Sequence, residues 1–330
     1  MKVLITGIAG YIGGVTAYSF LKQGYEVVGI DDMSTGDERA ILVLKKDFSF
    51  DFYSGSLSDT ELLDKIFKEH RIDTVVHFAA NTSVFESTQN PLKYYENNIS
   101  NMINLLSACK KHNVKNFIFS SSAAVYGEPT DVSKNITEDT QKAPINPYGM
   151  TKLMGEYILD DVKKSDSEFN YVALRYFNVA GASLVAPLGQ FKPSTLLIKI
   201  AAMTATGKKD KMMIYGDDYN THDGTCIRDY IHVDDLALAH IKALEFLHDK
   251  KQSEAFNVGY SKGASVKEVI DMMKEVSGVD FKVELAPRRT GDPSSLIASN
   301  EKILKLTNWK YQNDDLRLIC KSAYEWEKSL

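Results

Sequence analysis

The stretch that decides the fold is Lys2-Val3-Leu4-Ile5-Thr6-Gly7-Ile8-Ala9-Gly10-Tyr11-Ile12-Gly13. A short β-rich run, Lys2 to Thr6, meets glycines at 7, 10 and 13, and helical apolar spacing follows from Val15 to Gln23, closing at Gly24. A Cβ at those glycines would hold a pyrophosphate away from the backbone N–H groups, and the helix N-terminus adds partial positive charge. Tight turns use glycine too, so the strand–turn–helix setting is what gives the pattern weight. A second strand, Glu26 to Ile30, ends in Asp31-Asp32. A carboxylate there can accept from both hydroxyls of an adenosine ribose and would repel a 2′-phosphate, so NAD is favoured over NADP.

Working outward, strand and helix patterns alternate. Strands are expected at Phe50–Tyr53, Thr74–Phe78, Asn116–Phe119 and Tyr171–Tyr176. Helices are expected at Asp59–His70 with Asp59 as N-cap, from about Pro91 to His112, and at Tyr148–Lys164. This rhythm means parallel βαβ units. Past Asn178 it breaks into loops around Pro187, Gly189 and Pro193 and at Asp217–Gly224. Helices follow near Thr195–Thr206, Val233–His248, Val266–Ser277 and Asp315–Lys328, with a short strand at Lys282–Leu285. The expectation is an α/β fold: a Rossmann-type doubly wound parallel sheet over residues 1–177 that binds the dinucleotide, and a smaller C-terminal α+β domain over 178–330 that binds substrate. Lys208-Lys209-Asp210-Lys211 reads as a solvated turn.

The 330 residues are enough for roughly two domains of about 150. Hydrophobic residues at 44% and charged residues at 25% are globular proportions and exclude global disorder. A net charge of −5 gives no support for a nucleic-acid or anionic-membrane partner. Cys109, Cys226 and Cys320 form no C-x-x-C pair, which argues against a zinc ribbon and fits a reduced, cytoplasmic setting. The opening apolar run is too short for a secretory leader, and no stretch approaches the ~20 apolar residues of a membrane span. His232, His240 and His248 recur at eight-residue spacing, too long for two ligands of one zinc, so no metal is expected.

Tyr148-Gly149-Met150-Thr151-Lys152 puts Tyr and Lys at i and i+4, on one face of a helix that Pro144 and Pro147 precede. An ammonium beside a phenol favours the phenolate and lowers its pKa from about 10, making Tyr148 a candidate general base. Taken alone, Y-x-x-x-K is common, and a half-buried Tyr over a Lys stem is the plainer reading. Ser120-Ser121-Ser122 ends the fifth strand, where ligands bind in open α/β sheets. A hydroxyl there can bond the same substrate oxygen, although strand-end serines are often caps.

Together these residues resemble the extended short-chain dehydrogenase/reductase family. The resemblance rests on Gly7-x-x-Gly10-x-x-Gly13, Ser120-Ser121-Ser122-Ala123-Ala124-Val125-Tyr126-Gly127 and Tyr148-x-x-x-Lys152. Three longer stretches narrow it to the sugar-nucleotide 4-epimerases, the UDP-glucose 4-epimerases among them. They are Leu174 to Gly181, Tyr215 to Val233, and Ala286-Pro287-Arg288-Arg289-x-Gly291-Asp292. The match runs over essentially the whole chain.

The resemblance implies that Tyr148 removes the proton from the sugar 4-hydroxyl, helped by Ser122 and Lys152. The C4 hydride passes to tightly held NAD, the 4-keto sugar turns over, and hydride returns to its other face. UDP-glucose and UDP-galactose are the implied substrates, with UDP-N-acetylglucosamine and UDP-N-acetylgalactosamine expected as well. By matched position, Tyr11 and Ile12 offer backbone to the pyrophosphate. Asp31, Asp32, Met33, Ser34, Thr35 and Gly36 surround the adenosine ribose, and Ser56 and Leu57 the adenine. Phe78, Ala79, Ala80, Asn81, Thr82, Asn97 and Phe177 line the nicotinamide half, with Ser122, Tyr148 and Lys152. Asn178, Arg228, Arg289 and Asp292 are expected to hold the diphosphate and uridine ribose, arginine being suited to bidentate phosphate pairing. Leu196, Met213, Ile214, Tyr215 and Leu296 complete the expected substrate contacts.

Some positions depart from the family pattern. Ser56 stands where many relatives carry Asp, Thr82 where some have Lys, Leu196 where many have Asn or His, and Lys199 where Pro is usual. The Leu188–Pro193 loop is unusual too. A homodimer through the Pro91–His112 and Tyr148–Lys164 helices is implied. The rival readings are a nucleotide-sugar 4,6-dehydratase and a non-catalytic NAD-sensing protein. The first requires an added acid–base pair where this chain has Ala123 and Ala124, which cannot transfer protons. The intact Ser122, Tyr148 and Lys152 argue against the second.

Overall fold

The structure, a computed structural model, describes residues 1–129, 131–289 and 292–330. Seven parallel strands form its central sheet: β1 (Lys2–Thr6), β2 (Glu26–Asp31), β3 (Asp51–Ser54), β4 (Thr74–His77), β5 (Asn116–Ser120), β6 (Asn170–Tyr176) and, from far along the chain, β11 (Glu254–Val258). Their order is β3-β2-β1-β4-β5-β6-β11. The chain reverses direction across the sheet between β1 and β4, and that switch point opens a crevice at the strands' carboxyl ends. The central strands are apolar on both faces because helices cover both.

One face carries α1 (Tyr11–Lys22), α2 (Glu38–Asp47) and α9 (Val233–Lys250), whose apolar sides join the larger core around Val3, Ile5, Phe20 and Leu244. The other carries α3 (Thr60–Glu69), α6 (Asn101–Lys111) and α7 (Pro147–Ser165), packed with Leu63, Leu105, Phe117 and Leu159. Asp59 caps α3 by accepting from the Leu62 N–H at 2.9 Å. The stretch expected as one helix from Pro91 to His112 is α5 (Pro91–Tyr95), a π turn at Glu96–Ser100, and α6; a short α4 (Val84–Gln89) precedes it.

The remaining elements form a second layer beside the crevice. They are β7 (Asn178–Ala180), α8 (Leu197–Ala205), β8 (Met212–Tyr215), β9 (Ile227–Arg228), β10 (Tyr230–His232), β12 (Ala264–Ser265), α10 (Val266–Ser277), β13 (Val283–Ala286), β14 (Ser295–Leu296), α11 (Glu301–Thr307) and α12 (Leu316–Ser329). They make small sheets, β10-β7, β12-β9-β14 and β13-β8. Further features depart from the sequence reading. Helix α2 lies where no element was expected. And α9 with β11 returns to the central sheet, so that sheet does not stop at residue 177: β11 pairs in register with β6, Glu254 opposite Val172 and Val258 opposite Tyr176. A five-residue strand that finds its partner some 80 residues away carries no local sign of which sheet it joins.

Candidate active site

The turn after β1 is built for close approach. Gly7 sits at φ +72°, and a Cβ there would meet the Ala79 nitrogen at 2.7 Å; a Cβ on Gly13 would lie 2.1 Å from the Gly7 carbonyl oxygen. Gly10 precedes α1 with no side-chain cap, and no acidic residue occupies the first turn. The first N–H groups of α1 are therefore left to an anion from outside the helix. Tyr11 turns its own side chain away: its hydroxyl donates to the Gly181 carbonyl at 2.6 Å.

At the end of β2, Asp31 is buried, and its two oxygens accept from the Ala9 and Met33 N–H groups at 2.9 Å each. Burial raises its pKa above the ordinary carboxylate value against those hydrogen bonds. A Cβ on Gly36 would lie 2.8 Å from Asp31 Oδ1, so glycine keeps that carboxylate clear. Asp32 accepts from the Ser34 N–H and hydroxyl, at 2.9 and 2.6 Å, which folds the 32–35 loop over; Thr35 is exposed. The Ser56 hydroxyl is shared with Ser58, N–H at 3.1 Å and hydroxyl at 2.9 Å, and Leu57 is buried.

On the other side of the switch point, Phe78 packs on His240 with ring centroids 4.7 Å apart, and the Ala79 N–H donates to Thr6. Asn98, inside the π turn, accepts from the Asn81 N–H at 2.8 Å and donates to the Asn81 carbonyl and to the Thr151 hydroxyl, both at 3.0 Å. Its neighbour Asn97 donates to it at 3.0 Å. One side chain thus ties the 79–82 loop to the turn of α7 that carries the tyrosine and lysine. π turns recur at functional sites because they re-aim a side chain without ending the helix. Ala80 is half-buried and Thr82 exposed.

Tyr148 is the second residue of α7, whose N-cap Asn146 accepts from the Gly149 N–H at 2.8 Å. Ser122 starts a short 3-10 turn, accepting from the Ala124 N–H at 3.1 Å, and its hydroxyl lies close enough to Tyr148 to lower the phenol's pKa. Lys152 is buried; its Nζ donates to the Ser120 carbonyl at 2.7 Å and lies 5.9 Å from the Tyr148 ring centroid. Burial lowers the Lys152 pKa to about 7. The sequence reading had Lys152 lowering the Tyr148 pKa. In the protein alone the direction is upward, because burial of the phenol outweighs the lowering influence of the Ser122 hydroxyl. The ammonium is itself desolvated and spent on Ser120. A cation in the groove beside the phenol would act in the opposite sense.

The second cluster lies on the small sheets. Arg228 on β9 pairs with Asp292, and its other nitrogen donates to the Ile227 carbonyl at 2.8 Å. Leu296 on β14 is the register partner of Arg228. It packs against the group of Ala123, Leu153 and Phe177, which brings this cluster against the Ser122–Tyr148 end of the groove. Asn178 donates its N–H to the Asp229 carbonyl at 3.0 Å. Met213, Ile214 and Tyr215 lie on β8, and the Arg289 guanidinium stacks 3.8 Å from the Tyr215 ring centroid. Gly291 lies outside the described residues. Leu196 lines a separate small depression with Tyr11, Gly181, Lys199 and Trp326. Of the three histidines, His232 caps α9, His240 is buried and His248 is exposed; among the described residues no His, Cys, Asp or Glu group is disposed to hold a metal.

Three supports escaped the sequence reading. Glu156 and Arg175 form a buried bidentate pair, 2.8 and 2.7 Å, and Ser121 donates to Glu156 at 2.6 Å. The pair lies beneath the strand end that presents Ser122. Asp229 is buried beside Arg228 and accepts from Tyr260, Ser261 and Ala298 N–H groups at 2.8, 3.0 and 3.2 Å; burial carries its pKa up to about 7. Asn98 is the third. Asp229 and Arg175 stood inside quoted motifs, but the helix-borne Glu156 that pairs with Arg175 offered only ordinary charge.

Comparison with known proteins agrees with this geometry. Residues 3–259 match the model of the NAD dependent epimerase/dehydratase family. The chain is 44% identical over 329 residues to a UDP-glucose 4-epimerase of Halalkalibacterium halodurans, covering 99% of this chain and 96% of that one. Its fold superposes on the UDP-Glc/GlcNAc 4-epimerase of Campylobacter jejuni with TM-score 0.89 at 53% identity, over 100% and 99% of the two chains. It also superposes on the UDP-glucose 4-epimerase of Bifidobacterium longum, solved with NAD+ and UDP, with TM-score 0.94 at 37% identity over 100% and 98%. The chain belongs to the NAD dependent epimerase/dehydratase family.

Proposed function

We propose that this chain inverts C4 of UDP-hexoses, interconverting UDP-glucose and UDP-galactose, and that it accepts the N-acetylated pair as well. The observation that carries this reading is the placement of Tyr148, Ser122 and Lys152 between the glycine-lined groove and the Arg228–Asp292 cluster. The groove fits a dinucleotide: a Cβ at Gly7 or Gly13 would fill the cradle, α1 opens uncapped, and Asp31 stands clear at the ribose end.

NAD, when bound, supplies the hydride acceptor and donor for the sugar carbon. The Tyr148 phenolate takes the proton of the 4-hydroxyl, and the Ser122 hydroxyl donates to the same sugar oxygen. Lys152 holds the Ser120–Ser122 strand end through the Ser120 carbonyl and adds positive charge beneath the phenol. Arg228, Arg289 and Asn178 grip the diphosphate and uridine while the 4-keto hexose turns over, and Tyr148 returns the proton to the opposite face. Ala123 and Ala124 offer no acid or base for elimination across C5–C6. The cycle has no net redox change, so the cofactor need not leave.

In this reading residues 1–177, completed by β11, hold NAD, and most of 178–330 hold the UDP-sugar. The activity belongs to galactose metabolism, in the cytoplasm; three unpaired, buried cysteines support that setting, and no helix among the described residues is long and apolar enough to cross a membrane. A homodimer is proposed through α5–α6 and α7. Exposed apolar side chains on these helices, Leu92 at 79% with Ile103 and Tyr157, and Phe85 of α4 at 74%, support it. The test of function is an NMR assay of the four UDP-sugars with no added NAD. Formation of the C4 epimer is expected; a 4-keto-6-deoxy product, or unchanged substrate, overturns the reading.

A further inference from the structure

Between β7 and α8 the chain runs over to the cofactor side of the molecule. Leu188 is buried and reaches α1 near Gly14. Gly189 lies flat under the Trp326 ring of α12, where a Cβ would be 2.7 Å from the indole. The Gln190 carbonyl accepts from the Trp326 indole N–H at 3.2 Å and from Lys199 Nζ at 2.6 Å. Lys199, half of a buried ion pair with Glu327, is shared between that carbonyl and α12; Lys208 also pairs with Glu327, at 3.1 Å. Phe191 stands edge-on to Trp326 with centroids 4.9 Å apart, and on its other side the Arg39 guanidinium lies 4.6 Å from its ring centroid.

Arg39 leads straight to the ribose end of the groove. It is bidentate to Asp37, both contacts 2.8 Å, and the Asp37 N–H donates to the Ala9 carbonyl while the Ala9 N–H donates to Asp31. Lys192, next in the loop, is close enough to act electrostatically on both Asp31 and Asp37. A segment of the second layer is therefore stapled at one end to the C-terminal helix and at the other to the loop that carries the ribose carboxylate.

We propose that residues 189–192 are a strap across the adenosine end of the dinucleotide groove, and that Lys199, Trp326 and Glu327 are positioning residues that fasten it and so retain NAD. The inference rests on the reading that the groove holds NAD. It accounts for Lys199 and for the unusual 188–193 loop together: the buried lysine is there to hold a loop carbonyl and a helix carboxylate at once. A redox-neutral enzyme gains from such a fastening, because loss of the cofactor between turnovers stops the cycle.

The test is the exchange of bound cofactor. Holoprotein is diluted into excess isotopically labelled NAD, and the bound pool is sampled by mass spectrometry. Phe191→Ala and Lys199→Met should each speed exchange tenfold or more, and make turnover depend on added NAD. Lys199→Arg, which keeps a cation, should stay within threefold. Arg317→Ala removes an ion pair with Glu275 elsewhere on α12, away from the strap, and should change exchange by less than twofold. Phe191 is a half-buried loop side chain, so its variant keeps the test alive if Lys199→Met fails to fold. Exchange within twofold of the unsubstituted protein for Phe191→Ala overturns the strap alone, as does an equal acceleration by Arg317→Ala. Protein that neither contains nor takes up NAD overturns the reading of the groove, and the strap with it.

Discussion

Lys152 reaches past the Tyr148 ring to the carbonyl of Ser120: its Nζ is 2.7 Å from that oxygen and 5.9 Å from the ring centroid. The lysine thus braces the strand end that presents Ser122. Tyr148 itself is only 9% exposed, and burial raises its pKa above the ordinary phenol value.

Removing the phenol hydroxyl isolates its role as base. Tyr148→Phe should lower turnover by about two to three orders of magnitude, the usual contribution of a positioned general base. NAD content, measured on the denatured supernatant, should be unchanged. Turnover within a few-fold of the parent counts against Tyr148.

The buried lysine also makes a prediction about stability. Its pKa is about 7 in the folded protein against 10.5 ordinarily. Between those values the unfolded chain binds the extra proton, so stability from this group rises with pH from about 7 to about 10. The penalty for burying the charge is complete below about 7. Lys152→Met should therefore raise the thermal midpoint of cofactor-free protein at pH 6 and lose that advantage near pH 10.5. An equal gain at both pH values contradicts it.

The Glu156–Arg175 pair predicts a different pattern. Glu156→Ala leaves a buried guanidinium without its partner and removes the acceptor of Ser121, so unfolding in urea should show a loss of about 3–5 kcal/mol. Replacing both, Glu156→Leu with Arg175→Met, should recover most of it. A single variant within about 1 kcal/mol of the parent would contradict this.

Leu296 predicts substrate breadth. It is half-buried beside Phe177 and in register with Arg228. Leucine is smaller than tyrosine, so as a substrate contact it leaves more room for an N-acetyl group. Leu296→Tyr should selectively lower turnover of the N-acetylated pair, overpacking costing about 1–3 kcal/mol. Equal depression of both pairs shows that Leu296 only packs.

How far these residues were legible in the sequence follows from their range of interaction. The strand–turn–helix around Gly7–Gly13 and the strand end at Asp31 were readable because these elements adjoin in the chain, and the shared helix of Tyr148 and Lys152 because four residues is one helical turn. Strand β11 was not, since Glu254-Ala255-Phe256-Asn257-Val258 finds β6 only across the fold. Nor was the brace of Asn98: the residues around it read as uninterrupted helix, and the π turn that aims its side chain at Asn81 and Thr151 depends on α7 packing alongside. The upward direction of the Tyr148 pKa in the protein alone was hidden for the same reason. The Tyr–Lys spacing is local, but burial is set by everything packed around the pair.

The central claim is that the hydrogen removed from C4 returns to C4 of the same sugar. The most direct measurement is proton NMR of UDP-galactose converted to UDP-glucose in D2O without added NAD. The account predicts full conversion to the equilibrium mixture with the C4 position still carrying protium, since hydride never exchanges with solvent. Deuterium at C4 of the product would mean proton abstraction from carbon, and would contradict it.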